Sequence, residues 1–250
     1  MEEVLTQLGE FSPLLVAGLG LSIGLQHAFE PDHVAAVGTQ VSKGRFLHKS
    51  TRHMMTSGAI QSSILGAFWG AGHTTTLVLV GLLVYAFAVQ IQQQVFSGLE
   101  LIVGVMLVFL AVTTILNKKI ISPSHRHPHE HEDGTIHYDE HEHFDVNHKH
   151  GHKSYLIGCI HGLAGSGSLV VLTAATLSNV TMVLSFILIF GIGSILGMTL
   201  VSGLIGLPFV FSAKAVKISR MLRYAAGAFS LVIGANIIYS IGIAENLFAP

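Results

Sequence analysis

The chain has little charge and almost no cysteine. Only 11% of its 250 residues are charged, and Cys159 is the single cysteine. One cysteine excludes a disulfide framework, a zinc ribbon and a CxxC redox pair within the chain, and with them a membrane thiol–disulfide carrier. The sequence also lacks an HExxH motif and a second carboxylate cluster in its apolar segments. These absences disfavour a membrane metallo-enzyme, so we predict no catalytic residues.

Apolar residues make up half of the chain, and 27 residues are glycine, as is typical of an integral membrane protein. The acidic N-terminus lacks the basic region of a cleaved signal peptide, so the first apolar segment is predicted to be retained. We predict an all-α fold of six transmembrane helices in the cell membrane, with the lipid bilayer as a partner and no binding of nucleic acid. The predicted spans are residues 11–40, 57–89, 97–117, 154–178, 182–211 and 220–243.

The basic residues predict the orientation of the chain. All 13 lysine and arginine residues fall in or beside the connections between spans one and two, three and four, and five and six. By the positive-inside rule these three connections are cytoplasmic. Both termini and the remaining connections carry no basic residue and are therefore predicted to lie outside.

Short matches between the two ends of the chain predict a 3+3 inverted repeat. Each half would hold an odd number of spans, so the halves would have opposite topology, as in many secondary transporters. The predicted units are a first membrane half (1–117), a cytoplasmic loop (118–153) and a second membrane half (154–250). The matching positions are Gly24-x-x-His27 with Gly158-x-x-His161, Gly70-x-Gly72-His73 with Gly191-x-Gly193-Ser194, and Leu99, Gly104 and Val108 with Leu222, Gly227 and Leu231.

The cytoplasmic loop is rich in histidine and acidic residues. It is too polar to bury a core, so we predict that it is disordered without metal. Histidine-rich tracts usually bind metal, here loosely and exchangeably, although a plain flexible linker is the alternative. Its candidate ligands are His125, His127, His129, His131, His137, His141, His143, His148, His150 and His152.

The segment from His27 to His33 places two imidazoles and two carboxylates inside the first predicted span. Ionisable groups at that depth are costly and usually mark a substrate or ion path. Pro31 removes a helical hydrogen bond to the His27 carbonyl and disfavours helical geometry at Glu30. A break there would let His27, Asp32 and His33 converge on one ion. The alternative is a simple proline kink whose polar groups are paired inside the bundle.

Two further histidines lie in apolar spans: His73 near the middle of the second and His161 in the fourth. Imidazole and carboxylate without thiolate suit Ni²⁺, Co²⁺ or Zn²⁺, which would be transported rather than held as a cofactor. We leave out His48 and His53, which we predict to be solvated. Glu100 is predicted at the outer edge of span three, either as a vestibule group or as an interfacial charge. The predicted metal ligands are His27, Asp32, His33 and His73, and the predicted ion path adds Glu30, Thr74, His161 and Ser166.

These motifs resemble those of the nickel/cobalt transporter family. His27-x4-Asp32-His33 is identified as its H-x4-D-H signature, and Gly72-His73-Thr74 resembles its second-span motif. The segment His161–Ser166 is similar to the fourth-span motif of the six-span, urease-accessory nickel permease branch. The resemblance implies Ni²⁺ or Co²⁺ transport with the signature residues binding the ion. At the positions of Glu30 and Pro31 many members of the family have other residues. The histidine-rich loop is similar to that of the family's nickel/cobalt efflux branch.

The direction and class of transport stay open at this stage. We predict uptake, with a cytoplasmic metallochaperone as partner and with the ion passing His73, then the His27–His33 segment, then His161 near the inner end, then the loop. Efflux through the same site is the alternative. A ZIP-type zinc transporter also has a histidine-rich loop, but it would need eight spans and ionisable residues in span five, which has none.

Overall fold

The computed structural model of the chain describes residues 13–43, 51–87, 93–117, 126–130, 136–140, 146–163 and 180–244. Its apolar part is helical throughout these ranges. In chain order the helices are α1 (Pro13–His27), α2 (Pro31–Val41), α3 (Thr51–Phe87), α4 (Gln93–Ile115), α5 (Val146–Gly162), α6 (Val180–Phe211) and α7 (Val216–Tyr239), the last followed by a π-helical turn (Ser240–Ala244).

Four of the described helices are long and apolar enough to cross a membrane: Gly58–Leu83, Gln94–Ile115, Thr181–Phe211 and Val216–Ile243. A shorter apolar helix, Leu14–His27, accompanies them. The predicted all-helical membrane region is therefore confirmed. The first predicted span is divided between α1 and α2, and the fourth is described only as far as residue 163.

The histidine-rich loop contains a short antiparallel hairpin. Strand β1 (Arg126–Glu130) pairs with strand β2 (Ile136–Glu140), and His129 lies opposite His137. The hairpin and residues 146–153, which open α5, fall in the segment for which the sequence predicts no regular structure. The rest of that segment, 118–125, 131–135 and 141–145, lies outside the described residues.

The predicted break at Pro31 is confirmed. Helix α1 ends at His27, and its carbonyl accepts a hydrogen bond from the Glu30 N–H at 3.1 Å instead of from the missing N–H of Pro31. Glu30 has extended geometry (φ −60°, ψ 143°), as the residue before a proline prefers. Helix α2 then begins at Pro31, where the fixed φ of proline suits the first helical position.

The helices pack in pairs that join distant parts of the chain: α1 with α6, α5 with α3, α3 with α6, and α4 with α7. Glycines allow the closest approaches. A Cβ on Gly24 of α1 would overlap the carbonyl oxygen of Phe190, and a Cβ on Gly158 of α5 would overlap that of Trp69. Close helix contacts through small residues are typical of membrane bundles. They bring the histidine-bearing ends of α1 and α5 against the two long helices.

Candidate metal site

Four histidines meet in the interior of the bundle. His27, His33, His73 and His161 have relative exposures of 4%, 1%, 0% and 0%. They come from the end of α1, the first turn of α2, the middle of α3 and the end of α5. The ring centroid of His33 lies 4.3 Å from that of His27 and 4.3 Å from that of His161, so His33 stands at the centre of the cluster.

His27, His33 and His73 form the first group that could hold a metal ion. Each offers one nitrogen, and the three nitrogens lie within 4.8 Å of one another. Imidazole binds Zn²⁺ at about 2.0–2.1 Å, so nitrogens sharing one such ion lie no more than about 4.2 Å apart. Small side-chain movements would therefore convert this group into a closed three-imidazole site.

Two carboxylates hold the rings of this group. Glu30 Oε1 lies 2.8 Å from His27 Nδ1, and Asp32 Oδ1 lies 2.8 Å from His33 Nδ1. A carboxylate facing Nδ1 favours the proton on that nitrogen and leaves the lone pair on Nε2. The Nε2 atoms of His27 and His33 are buried and have no hydrogen-bond partner among the described residues. This is the arrangement by which proteins orient a metal-binding imidazole.

Asp32, His33 and His161 form a second group with ligand atoms within 4.8 Å of one another. The Asp32 carboxylate of this group is already paired, because Oδ2 lies 2.9 Å from His161 Nε2 while Oδ1 faces His33 Nδ1, and the other ring nitrogens, His33 Nε2 and His161 Nδ1, have no hydrogen-bond partner among the described residues. The backbone N–H of His33 also donates to Asp32 Oδ1 at 2.9 Å. An ion entering here would have to displace these hydrogen bonds. The carboxylate of Asp32 thus ties α2 to α5.

The structure corrects the predicted place of His161. The sequence puts it near the inner end of the path, whereas its ring lies beside His33 in the same cluster. Helix α5 begins at Val146 rather than at the predicted residue 154. The additional helix is about 12 Å long at 1.5 Å per residue and lies on the side of α5 away from His161. The histidines that were predicted as separate sites along the ion path therefore form one cluster.

The remaining predicted path residues have other surroundings. Thr74 donates a hydrogen bond to the carbonyl of Gly191 at 3.2 Å and so joins α3 to α6 rather than facing the cluster. Ser166 and four loop histidines (His125, His131, His141 and His143) lie outside the described residues. The other predicted loop ligands are placed in β1 (His127, His129), in β2 (His137) and in α5 (His148, His150, His152).

Two aromatic side chains that the sequence analysis did not identify enclose the cluster. The ring centroid of Trp69 lies 5.2 Å from that of His33 and 5.3 Å from that of His161, and that of Phe190 lies 5.5 Å from that of His27. Trp69 is the single tryptophan and precedes His73 by four residues, so both share a helix face. This four-residue spacing could have identified Trp69 as a neighbour of the site from the sequence alone. The rings shield the histidines from water and lipid.

Comparison with known proteins gives two likenesses. Residues 67–236 match the model of a family described as the Cytochrome C biogenesis protein transmembrane region. The chain is also similar to the urease accessory protein UreH of Bacillus sp. (strain TB-90), at 37% identity over 236 residues, or 94% of this chain and 95% of that protein. No solved structure matches the chain. Together with the apolar helices, these likenesses identify a multi-pass protein of the plasma membrane.

Proposed function

This chain belongs to the family of the Cytochrome C biogenesis protein transmembrane region, and from that fold and its histidine cluster we propose that it transports a divalent transition-metal ion, Ni²⁺ first and Co²⁺ second. The observation that carries the proposal is the convergence of three buried imidazoles, two of them oriented by carboxylates. The similarity to a urease accessory protein, together with the resemblance of the chain's motifs to those of the nickel permease branch, favours nickel.

The ion is bound in this proposal by Nε2 of His27, Nε2 of His33 and a nitrogen of His73. Glu30 and Asp32 act behind the ligands by fixing the orientation and the protonated nitrogen of their partner rings. Asp32 thus differs from its predicted role as a direct ligand. Imidazole ligands suit Ni²⁺ and related ions, and the lack of thiolate disfavours Cu⁺.

We propose six crossings arranged as an inverted repeat. The interrupted pair α1–α2 counts as one crossing, and α5 opens the fourth. Reciprocal contacts support the repeat: in the sequence match Gly24 corresponds to Gly158, and Phe190, which precedes Gly191, corresponds to Trp69, which precedes Gly70. Gly24 packs on the carbonyl of Phe190 just as Gly158 packs on that of Trp69. Two such contacts related by the repeat are what opposed but equivalent halves require.

We propose that the ion moves inward. The basic loops set the cytoplasmic side, and both termini lie outside. The segment His161–Ser166 resembles that of the permease branch, and the loop of residues 118–153 is placed to receive the ion and pass it to a metallochaperone. Cells that express the protein should then accumulate nickel and become more sensitive to it. Lower cellular nickel and greater resistance would reverse the direction and leave the site unchanged.

The decisive test uses the purified full-length protein in proteoliposomes. Nickel flux is measured together with the X-ray absorption spectrum of the bound ion, which should show imidazole nitrogens in its first coordination shell. His33→Ala should remove both binding and flux, because His33 is central to the cluster, whereas His53→Ala in the first basic segment should change neither. Unaltered nickel binding in His33→Ala would refute the site, and binding without flux in the wild type would refute transport.

A further inference from the structure

A second polar level lies below the histidines on the same three helices. Counting seven positions from the histidine of each helix toward the basic loops leads to Gln40 on α2, Gly66 on α3 and Ser154 on α5. Seven residues are nearly two full turns, so each of these residues shares a helix face with its histidine and lies about 10.5 Å along the axis. An ion travelling between the cluster and the cytoplasm meets this level next.

Ser154 holds the three helices together at this level. It is 1% exposed, and its hydroxyl oxygen lies 2.9 Å from Oε1 of Gln40 and 2.8 Å from the carbonyl oxygen of Leu65. The same two helices, α2 and α5, are joined two turns higher by Asp32 and His161. Helix α5 is therefore tied to α2 at the level of the histidines and again on the cytoplasmic side of them.

The passage is closed at this level. Gln40, Leu65, Gly66 and Ser154 line a crevice together with the apolar side chain of Val37, and the crevice has no room for a water molecule. A divalent ion, with or without water, cannot pass until these residues separate. The closing contacts are hydrogen bonds of uncharged groups, which break at lower cost than ion pairs.

The closed arrangement leaves one polar atom unsatisfied. A serine hydroxyl has a single proton, so Ser154 can donate to Leu65 or to Gln40 but not to both. Nε2 of Gln40 is buried without a hydrogen-bond partner among the described residues, and turning the amide to donate to Ser154 would leave its oxygen in that position instead. Either way the carboxamide gains a partner when the crevice opens to water or to an ion.

We propose that Gln40 and Ser154 form the cytoplasmic gate of the ion path, shown here closed. The assignment rests on the proposed function, because it takes the histidine cluster as the ion site. The gate opens when α5 moves from α2, which breaks the contact between Ser154 and Gln40. The exposed carboxamide and hydroxyl then supply oxygen atoms that ease the return of the ion to water.

Thiol accessibility tests the gate without any nickel. In a Cys159→Ala background, Val37→Cys places a reporter one turn above Gln40. A membrane-impermeant methanethiosulfonate reagent is added to inside-out vesicles, and the modification rate is measured. The reporter should react slowly in this background and at least tenfold faster after Ser154→Ala or Gln40→Ala. The matched control is Ser230→Ala, which removes a buried hydroxyl bonded to the carbonyl of Leu107 at 3.0 Å in the α4–α7 pair and should leave the rate unchanged.

Four results bear on the assignment besides the expected one. A reporter that reacts rapidly before any gate substitution would overturn it, as would equal rates in the gate and control variants. A fully buried reporter at the neighbouring pair, Leu107→Cys, measures general loosening. If its rate rises as much as that of the Val37 reporter, the gate is refuted. A confirmed rate pattern in a protein that moves no nickel would keep the gate and refute the proposed ion.

Discussion

The ends of α1 and α5 are built alike but treat their histidines differently. In each helix a glycine packs against the backbone carbonyl of an aromatic residue on a neighbouring helix. The histidine at the end of the helix lies beside the ring of that same aromatic residue, which is Phe190 for His27 and Trp69 for His161. The difference lies in the carboxylate. His27 is held by Glu30 three residues further along its own chain, whereas His161 is held by Asp32 from another helix.

In the proposed site, this difference distinguishes His27, a direct metal ligand, from His161, which supports another ligand. Glu30 pairs with Nδ1 of His27, so Nε2 is the nitrogen that His27 can offer to a metal ion. His27 shares this candidate metal group with His33 and His73. The two carboxylate oxygens of Asp32 pair with Nε2 of His161 and with Nδ1 of His33. In the proposed site, the end of α1 therefore presents an imidazole to the ion, and the imidazole at the end of α5 fixes the carboxylate that orients His33.

The test with the largest expected effect replaces His27 and His161 with alanine, one at a time. We expect His27→Ala to weaken nickel binding by more than about 100-fold, because a direct ligand is lost. We expect His161→Ala to weaken it by only about tenfold, as is typical when an outer-shell partner is removed. Isothermal titration of the purified variants measures both. Equal losses would show that the two helix ends play the same part.

The next test compares the carboxylates. Asp32→Asn keeps the shape of the side chain but removes the charge shared by two imidazoles, so nickel affinity should fall by about 10- to 100-fold. The Glu30 side chain is 43% exposed against 17% for Asp32, so water screens its charge more strongly. Glu30→Gln should accordingly cost less than about tenfold. A larger loss in Glu30→Gln than in Asp32→Asn would contradict the assigned roles.

The glycines test whether the two helix ends are equally close-packed. Gly24→Ala and Gly158→Ala would each force a Cβ into a backbone carbonyl, and we expect each to destabilise the protein by about 1–3 kcal/mol. Gly18→Ala on α1 is the matched control, because a Cβ there meets nothing within 4 Å and alanine is the better helix former. Thermal unfolding in detergent gives the three values. A control as unstable as the test variants would show that helix packing is not the cause.

The smallest expected effect lies just beyond the C-terminal end of α2. Burial, and then the positive charge of Lys153 on α5, lower the pKa of Lys43 to about 8. Lys153→Gln should raise this pKa part of the way toward 10.5, which NMR titration of ¹³C-methylated lysine would measure. Because the lowered pKa opposes the charged form, the cost to stability is present below pH 8 and is relieved as the pH rises toward 10.5. An unchanged pKa would mean that α5 does not approach α2 at this end.

The local parts of this structure were predictable from the sequence. Pro31 removes an N–H and restricts its neighbour, so the break between α1 and α2 follows from the chain itself. His73 was placed correctly in the middle of a long helix because apolar residues surround it. The meeting of Asp32 with His161, and of Gln40 with Ser154, joins residues more than 100 positions apart. No local pattern encodes which helices become neighbours, so these contacts and the wall formed by Phe190 needed the structure.

The pairing of α1 with α6 has a consequence for how the protein is made. Helix α1 has 15 residues, fewer than the roughly 20 that a straight crossing needs, and it ends in a polar histidine. Its packing partner is synthesised about 150 residues later, roughly 8–30 s at normal elongation rates. During that interval His27 can already meet Glu30, His33 and His73, but the glycine-bearing face of α1 that packs on α6 has no native neighbour. We therefore expect the α1–α6 contact to form late in synthesis, and a chain truncated before α6 to be degraded rather than to accumulate as a stable half.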